Sequence, residues 1–194
     1  MIGLALAFQQ LLAILDRLEI PFLVGGSVAS GSHGLPRQTN DIDILADFRG
    51  TDPGALCALL EGEFYVNRQT VAEAIRTGRP FNAIHLKGAF KFDFFPAAEE
   101  FTHSELRRKR YVVSAAPGLE DIEFPVASPE DTILAKLQWF RKGGEISDRQ
   151  WQDILGVLTV QSGRLDVAYL REWAACLGVA DLLDRALSHS EPGP

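Results

Sequence analysis

The sequence has few cysteines, no long apolar run and no excess of positive charge, and each of these excludes a class of protein. Its two cysteines, Cys57 and Cys176, match no metal-ligand or redox spacing; their apolar helical contexts predict small core residues and a reducing, cytoplasmic setting. No segment is long and apolar enough to span a bilayer, and the stretch 2–15 lacks the basic start of a signal peptide. The net charge of −7 argues against the basic surface of a dedicated nucleic-acid binder.

The composition and the order of the elements predict an α+β protein. With 194 residues, of which 46% are apolar, the chain suits a mid-sized globular protein with a substantial core. Residues 1–127 mix strand and helix signals and predict a mixed-sheet α/β core, whereas residues 128–190 predict a C-terminal helical subdomain. The expected helices are residues 3–18, 27–30, 53–61, 129–141, 147–160, 166–177 and 179–188. The expected strands are residues 21–24, 39–45, 80–87, 90–95, 110–114 and 122–126.

Three aspartates stand on the polar faces of two of these strands. Asp41 and Asp43 share a face, because residues i and i+2 of a strand project to the same side, and Asp93 faces away from the phenylalanines that flank it. If the two strands are neighbours, the three carboxylates lie close together. Their mutual repulsion is usually relieved by a bound divalent cation. The pattern indicates a magnesium-dependent phosphoryl-transfer site. The alternative is structural: helix or turn caps, and a salt bridge from Asp93 to Lys91 or Lys87.

The fragment Gly25-Gly26-Ser27 ends a buried strand and leads into a short helix for which Ser27 is the expected cap. Backbone N–H groups and a hydroxyl at the positive end of a helix can hold phosphate, and glycine leaves room for it. A purely structural turn is the alternative for this fragment taken alone.

These residues together resemble a known superfamily. The motifs are Gly26-Ser27-x3-Gly31, Arg37-x-Thr39-x-Asp41-Ile42-Asp43, Asp93, the segment 127–136, and Asp148-Arg149-x3-Asp153-Ile154. They are similar to the nucleotidyltransferase superfamily that includes DNA polymerase β, and more closely to the bacterial nucleotidyltransferase-like proteins grouped with the AbiEii type IV toxins.

The resemblance implies a nucleotidyltransferase core flanked by helices, with defined roles for the phosphate ligands. Gly26 and Ser27 would hold the β- and γ-phosphates of a nucleoside triphosphate (NTP, for instance ATP), Lys136 would contact the triphosphate, and Asp153 would belong to the family's last motif. A snorkelling lysine and a routine helical pair between Arg149 and Asp153 are the alternatives. Arg37 could stabilise the loop before the first aspartates or contact phosphate, and stabilisation of the loop is the interpretation we favour.

The same resemblance implies that Asp41, Asp43 and Asp93 bind two Mg²⁺ ions and form the catalytic centre, with Asp93 the general base in many members. The chain would then be an enzyme that transfers NMP from an NTP to a hydroxyl of RNA such as tRNA, of a protein or of a small molecule such as an antibiotic. No interaction with a membrane is expected. One possible role is the toxin of a toxin–antitoxin pair, which would bind an antitoxin partner. The alternatives are a non-catalytic NTP-binding or regulatory module, and a purely structural domain.

A basic run, Arg107 to Arg110, precedes Tyr111. It could meet the phosphates of an RNA acceptor, with the tyrosine available for stacking. The alternative is a solvated face that balances nearby glutamates.

Overall fold

A computed structural model describes residues 3–39 and 41–190. The helices within these ranges are α1 (Leu4–Arg17), α2 (Gly26–His33), α3 (Pro53–Leu60), α4 (Arg68–Thr77), α5 (Glu100–Arg108), α6 (Pro129–Lys142), α7 (Asp148–Val160), α8 (Val167–Cys176) and α9 (Ala180–Ser190). The strands are β1 (Phe22–Val24), β2 (Asp41–Ala46), β3 (Phe64–Tyr65), β4 (Phe81–His85), β5 (Lys91–Pro96), β6 (Arg110–Val113) and β7 (Glu123–Val126).

The strands form one mixed sheet in the order β3-β4-β5-β2-β1-β7-β6. At its centre β2 pairs in parallel with β5 and antiparallel with β1. Ile42 and Ile44 of β2, with Phe92 and Phe94 of β5, are fully buried on one face of the sheet. Alternate residues of both strands therefore project from the opposite face, as the sequence predicts.

Two clusters of buried apolar side chains support this architecture. The first packs α1, α3 and α4 against the sheet and extends in sequence to Ala127. The second joins Phe101 of α5 to the helices α6 to α9. The predicted α+β class, with a mixed sheet and helices at the C-terminal end, is confirmed. The boundary between residues 127 and 128 stays a prediction. None of the helices in the described ranges has the length and apolarity needed to cross a membrane.

Three elements were not expected from the sequence: β3, α4 and α5. Along α4 only Val71 and Ala74 are buried, and along α5 the one large buried apolar side chain is Phe101. Both helices are short and mostly polar, so their few apolar side chains form a stripe too narrow to predict a helix from the sequence. Both helices begin with local polar hydrogen bonds. At the start of α4, for example, the Thr70 N–H donates to the Asn67 side chain.

One cysteine prediction is wrong. Cys57 is buried as expected, but Cys176 is exposed. The buried residues of α8 are Leu170 and Ala174, and a rotation of about 100° per residue carries Cys176 to the far side of the helix.

A polar cluster fastens the C-terminal helices to α5. Arg108 is 3.1 Å from Glu130 and stacks over the ring of Tyr169, and its Nε lies 3.4 Å from Asp131 without the geometry of a hydrogen bond. The Tyr169 hydroxyl donates to Asp131 at 2.6 Å, and Ser128 donates to the same carboxylate at 2.7 Å. We call these five residues the Arg108 cluster. Because the two acids are buried, their negative charges are stabilised by Arg108 and the hydroxyl donors instead of by water.

Replacing Arg108 with Ala is expected to lower the free energy of unfolding by about 3 kcal/mol, because it leaves a buried acid without its cationic partner. The matched control is Arg107→Ala, which removes an exposed arginine from the same helix and should change stability by no more than ~0.5 kcal/mol. Urea denaturation of the two variants measures the difference. Equal midpoints would show that the Arg108 cluster does not hold the helices in place.

Candidate active site

The register of the central strands brings the three predicted aspartates to neighbouring positions. In the parallel pair, Asp43 lies opposite Asp93 and Asp41 lies opposite Lys91. All four residues belong to the face opposite the buried isoleucines and phenylalanines. Lys91 Nζ is 2.7 Å from Asp93 Oδ2, which is the salt bridge that the structural alternative proposed. The two interpretations of Asp93 therefore coexist at one position.

Asp43 has a raised proton affinity in this setting. Burial, followed by the charge of Asp93, raises the pKa of Asp43 to about 6, and Lys136 only partly opposes this. Among the residues that the structure describes, no three His, Cys, Asp or Glu side chains are already grouped as metal ligands, and Asp93 is turned to Lys91. The donor set nevertheless suits a hard cation, since it consists of carboxylate oxygens whose mutual repulsion a divalent ion would relieve.

The glycine turn lies directly against these acids. Helix α2 begins at Gly26 with Gly25 as its cap, two residues before the predicted cap Ser27. The Gly25 N–H donates to the Asp43 carbonyl at 2.9 Å. Gly26 has a φ of +54°, and a Cβ built on it would lie 1.8 Å from Asp43 Oδ2. Only glycine allows the carboxylate to lie this close to the turn.

Basic side chains from distant parts of the chain converge beside the turn. Arg37 donates to the Ser27 hydroxyl and, through Nε and Nη2, to both carboxylate oxygens of Asp153 at 3.1 Å. Lys136, only 7% exposed, donates to Asp153 at 2.8 Å. Although burial acts the other way, these hydrogen bonds hold the pKa of Asp153 below its usual value. Asp153 therefore pairs with Arg37 and Lys136, not with Arg149.

A cavity of about 520 Å³ joins these groups. One part, which we call the phosphate end, is lined by Gly25, Gly26, Ser27, Arg37, Asp43, Lys136 and Arg149. The other part, the apolar end, is lined by Leu23, Leu45, Phe95, Phe101 and Trp139. Leu23, Leu45 and Phe95 are in register across β1, β2 and β5. This apolar row lies one step along the same sheet face from the pair Asp43 and Asp93.

One acid in the wall of the apolar end has no counterpart among the predicted site residues. Glu105 of α5 lines the cavity and is 6% exposed. Burial, and then the nearby charge of Asp131, raise the pKa of Glu105 well above its usual value. Because α5 itself has a weak helical pattern, neither the position nor the burial of this side chain could be expected.

The basic run is divided between fold and surface. Arg108 belongs to the Arg108 cluster, and Lys109 donates to a backbone carbonyl of β1 at 3.2 Å. Arg107 and Arg110 are exposed, and so is Tyr111 at 64%. Two of the four cations therefore already have structural partners. Contact between this run and RNA stays a prediction.

Comparison with solved structures identifies the fold. The antibiotic-resistance factor ANT(2'')-Ia superposes with a TM-score of 0.55 at 16% identity, over 96% of this chain and 97% of that one. The chain has a nucleotidyltransferase fold. A second structure of ANT(2'')-Ia, in complex with adenylyl-2''-tobramycin, gives a TM-score of 0.54 at 15% identity over 90% and 96% of the two chains.

The lincosamide antibiotic adenylyltransferase LnuA, solved with lincomycin bound, is a third structure with this fold. It gives a TM-score of 0.51 at 14% identity and covers 79% of this chain and 96% of its own. No protein-family model and no curated protein matches the sequence. At these identities the likeness establishes the nucleotidyltransferase fold and leaves the activity to be argued from the residues.

Replacing Glu105 with Gln is expected to stabilise the protein at neutral pH. The pKa of Glu105 is raised above the ordinary value of 4.5, so the folded protein keeps a proton that the unfolded chain releases, and stability falls as pH rises through that interval. Gln removes this dependence. Calorimetry should give Glu105→Gln a higher melting temperature than the unmodified protein at pH 7, with the two values converging towards pH 4.5.

The control is Glu172→Gln, an exposed glutamate of α8, for which no such pH-dependent difference is expected. If Glu105→Gln melts at a lower temperature than the unmodified protein at pH 7, the carboxylate has a stabilising partner.

Proposed function

We propose that this protein is a nucleotidyltransferase that transfers NMP from an NTP to a hydroxyl of a small molecule. The observation that carries the proposal is the register of β2 and β5, in which Asp43 and Asp93 lie opposite each other beside the turn at Gly26. Carboxylates beside the backbone N–H groups at a helix start are among the parts that phosphoryl transfer requires.

The phosphate end would bind and orient the nucleotide. The N–H groups and hydroxyl at Gly26 and Ser27 would donate to the terminal phosphates. Lys136 and Arg37 would add positive charge where the leaving pyrophosphate gains negative charge. Asp153 would position both basic side chains, since it holds them at 2.8 Å and 3.1 Å.

The acids would serve the transfer itself. Bound to Asp41, Asp43 and Asp93, two Mg²⁺ ions would neutralise phosphate charge and lower the pKa of the attacking hydroxyl. Asp93 would accept the proton of that hydroxyl as its oxygen forms a bond to the α-phosphorus. The bond from the α-phosphorus to pyrophosphate breaks in line with this attack.

Three observations favour a small-molecule acceptor. The cavity of about 520 Å³ is of the size that small ligands occupy. The net charge of −7 does not favour a polyanionic acceptor. Two proteins of this fold are known with antibiotic-derived ligands, adenylyl-2''-tobramycin and lincomycin. The closer likeness to AbiEii toxins, an antitoxin partner and an RNA acceptor stay predictions from the sequence alone.

The decisive test is transfer of label from NTP labelled at the α-phosphate, with Mg²⁺, to the small molecules of a bacterial extract. Asp43→Asn and Asp93→Asn are each expected to lower the rate by ~100-fold or more, since each removes a ligand and charge needed in the transition state. Asp47→Asn is the matched control, because Asp47 follows the opposite end of β2 and pairs with Arg49. Transfer that persists in both site variants would refute the mechanism, and Mg-NTP binding without transfer would favour the non-catalytic alternative.

Replacing Lys136 with Met is expected to raise the KM for NTP about tenfold, through loss of a charge-assisted hydrogen bond to phosphate. Lys87→Met, at an exposed lysine outside the cavity lining, should leave this KM within about twofold. Steady-state kinetics of the two variants make the comparison. An unchanged KM in Lys136→Met would mean that this lysine only pairs with Asp153.

A further inference from the structure

Among the residues that the structure describes, the lining of the cavity includes polar side-chain atoms without a hydrogen-bond partner. In the described part of the chain, the Glu105 carboxylate takes part in no hydrogen bond or ion pair, although the residue is 6% exposed. The hydroxyl of Thr132, a second lining residue, is buried without a hydrogen-bond partner. Gln150 Oε1, also in the lining, is in the same condition. Buried groups of this kind are normally satisfied, and exceptions concentrate at functional sites.

The surroundings of Glu105 are aromatic. Phe95 and Trp139 meet edge to face with ring centroids 5.8 Å apart, and Phe101 lies one helical turn before Glu105 on α5. All three side chains line the same cavity. A ligand held here would therefore pack an apolar ring or chain against aromatic faces and present a polar group to Glu105.

The charges around the apolar end select the sign of that polar group. Asp131 adds negative charge next to Glu105, and Glu99 lines the cavity closer to solvent. Arg108, about one turn further along α5, is already paired with the acids of the Arg108 cluster, and Lys142, which also lines the cavity, has its Nζ 5.1 Å from the Trp139 ring centroid. A cationic donor would favour loss of the Glu105 proton and pair with the resulting carboxylate, whereas an anion would be repelled by Asp131 and Glu99.

We propose that the apolar end binds the acceptor through an amino group, with Glu105 accepting from the ammonium and Phe95, Phe101 and Trp139 holding the apolar body. This assignment rests on the proposed nucleotidyltransferase function. It follows from position as well as chemistry. Phe95 lies two residues after Asp93 on one face of β5, so a molecule seated on it is about 7 Å from that carboxylate. A hydroxyl of the same molecule can then reach Asp93, while the phosphates occupy the other end of the cavity.

The test compares a cation with its neutral analogue. The probes are 2-phenylethylamine and 2-phenylethanol, and the readout is tryptophan fluorescence at millimolar probe concentration in the full chain. The unmodified protein should bind the amine at least tenfold more tightly than the alcohol. Trp139→Phe should abolish the fluorescence change, which assigns the signal to this cavity.

Glu105→Gln should remove the preference, bringing the two affinities within about twofold while the melting temperature stays at or above that of the unmodified protein. Glu99→Gln, which removes the same charge from an exposed lining position, should keep it. A second variant, Thr132→Val, should lower the affinity for the amine severalfold. Equal binding of amine and alcohol to the unmodified protein, or an undiminished preference in Glu105→Gln, would overturn the assignment.

Two further measurements separate this inference from the function on which it rests. If Mg-ATP displaces the amine and Glu105→Gln lowers the affinity for Mg-ATP, the apolar end holds the nucleobase and the acceptor assignment is wrong. If the amine preference depends on Glu105 but no NMP transfer occurs with any extract, the amine site stands and the proposed enzyme activity fails.

Discussion

The parallel pairing of β2 with β5 forces two aspartates together, and the rest of the candidate site is arranged around that repulsion. A slip of β2 by one residue would separate Asp43 from Asp93, but it would also turn Ile42 and Ile44 out of the core. The apolar face therefore fixes the register that the charged face would otherwise avoid. Lys91 pairs with one acid, and burial, followed by the remaining repulsion from Asp93, raises the pKa of Asp43.

The opposite wall of the cavity has the complementary charge. Arg37 comes from the loop after α2, Lys136 from α6 and Asp153 from α7, so three separate segments meet in one ion-paired group. Acids on the sheet thus face cations on the helices across the phosphate end. A ligand that combines a divalent cation with a chain of phosphates matches both walls, whereas either component alone matches only one of them.

How far the sequence predicts this arrangement depends on the range of the interactions. The two acidic strands, the glycine turn and the long C-terminal helices follow from local signals: alternation, a capped start such as Ser128-Pro129, and an apolar stripe. The pairing of Arg37 with Asp153 spans 116 residues and leaves no local pattern, so a helical pair with Arg149 was the natural expectation. Glu105 was missed for a related reason, since α5 is held by polar bonds and one phenylalanine and its burial depends on tertiary packing.

The close approach at Gly26 separates two constraints that the sequence motif combines. A side chain at this position would displace the Asp43 carboxylate even if no nucleotide ever bound, because the obstruction lies within the protein itself. Glycine here is thus required by the packing of an acid against a turn, and its presence says little about catalysis. A protein of this fold that had lost its activity but kept the aspartate would still require glycine at this position.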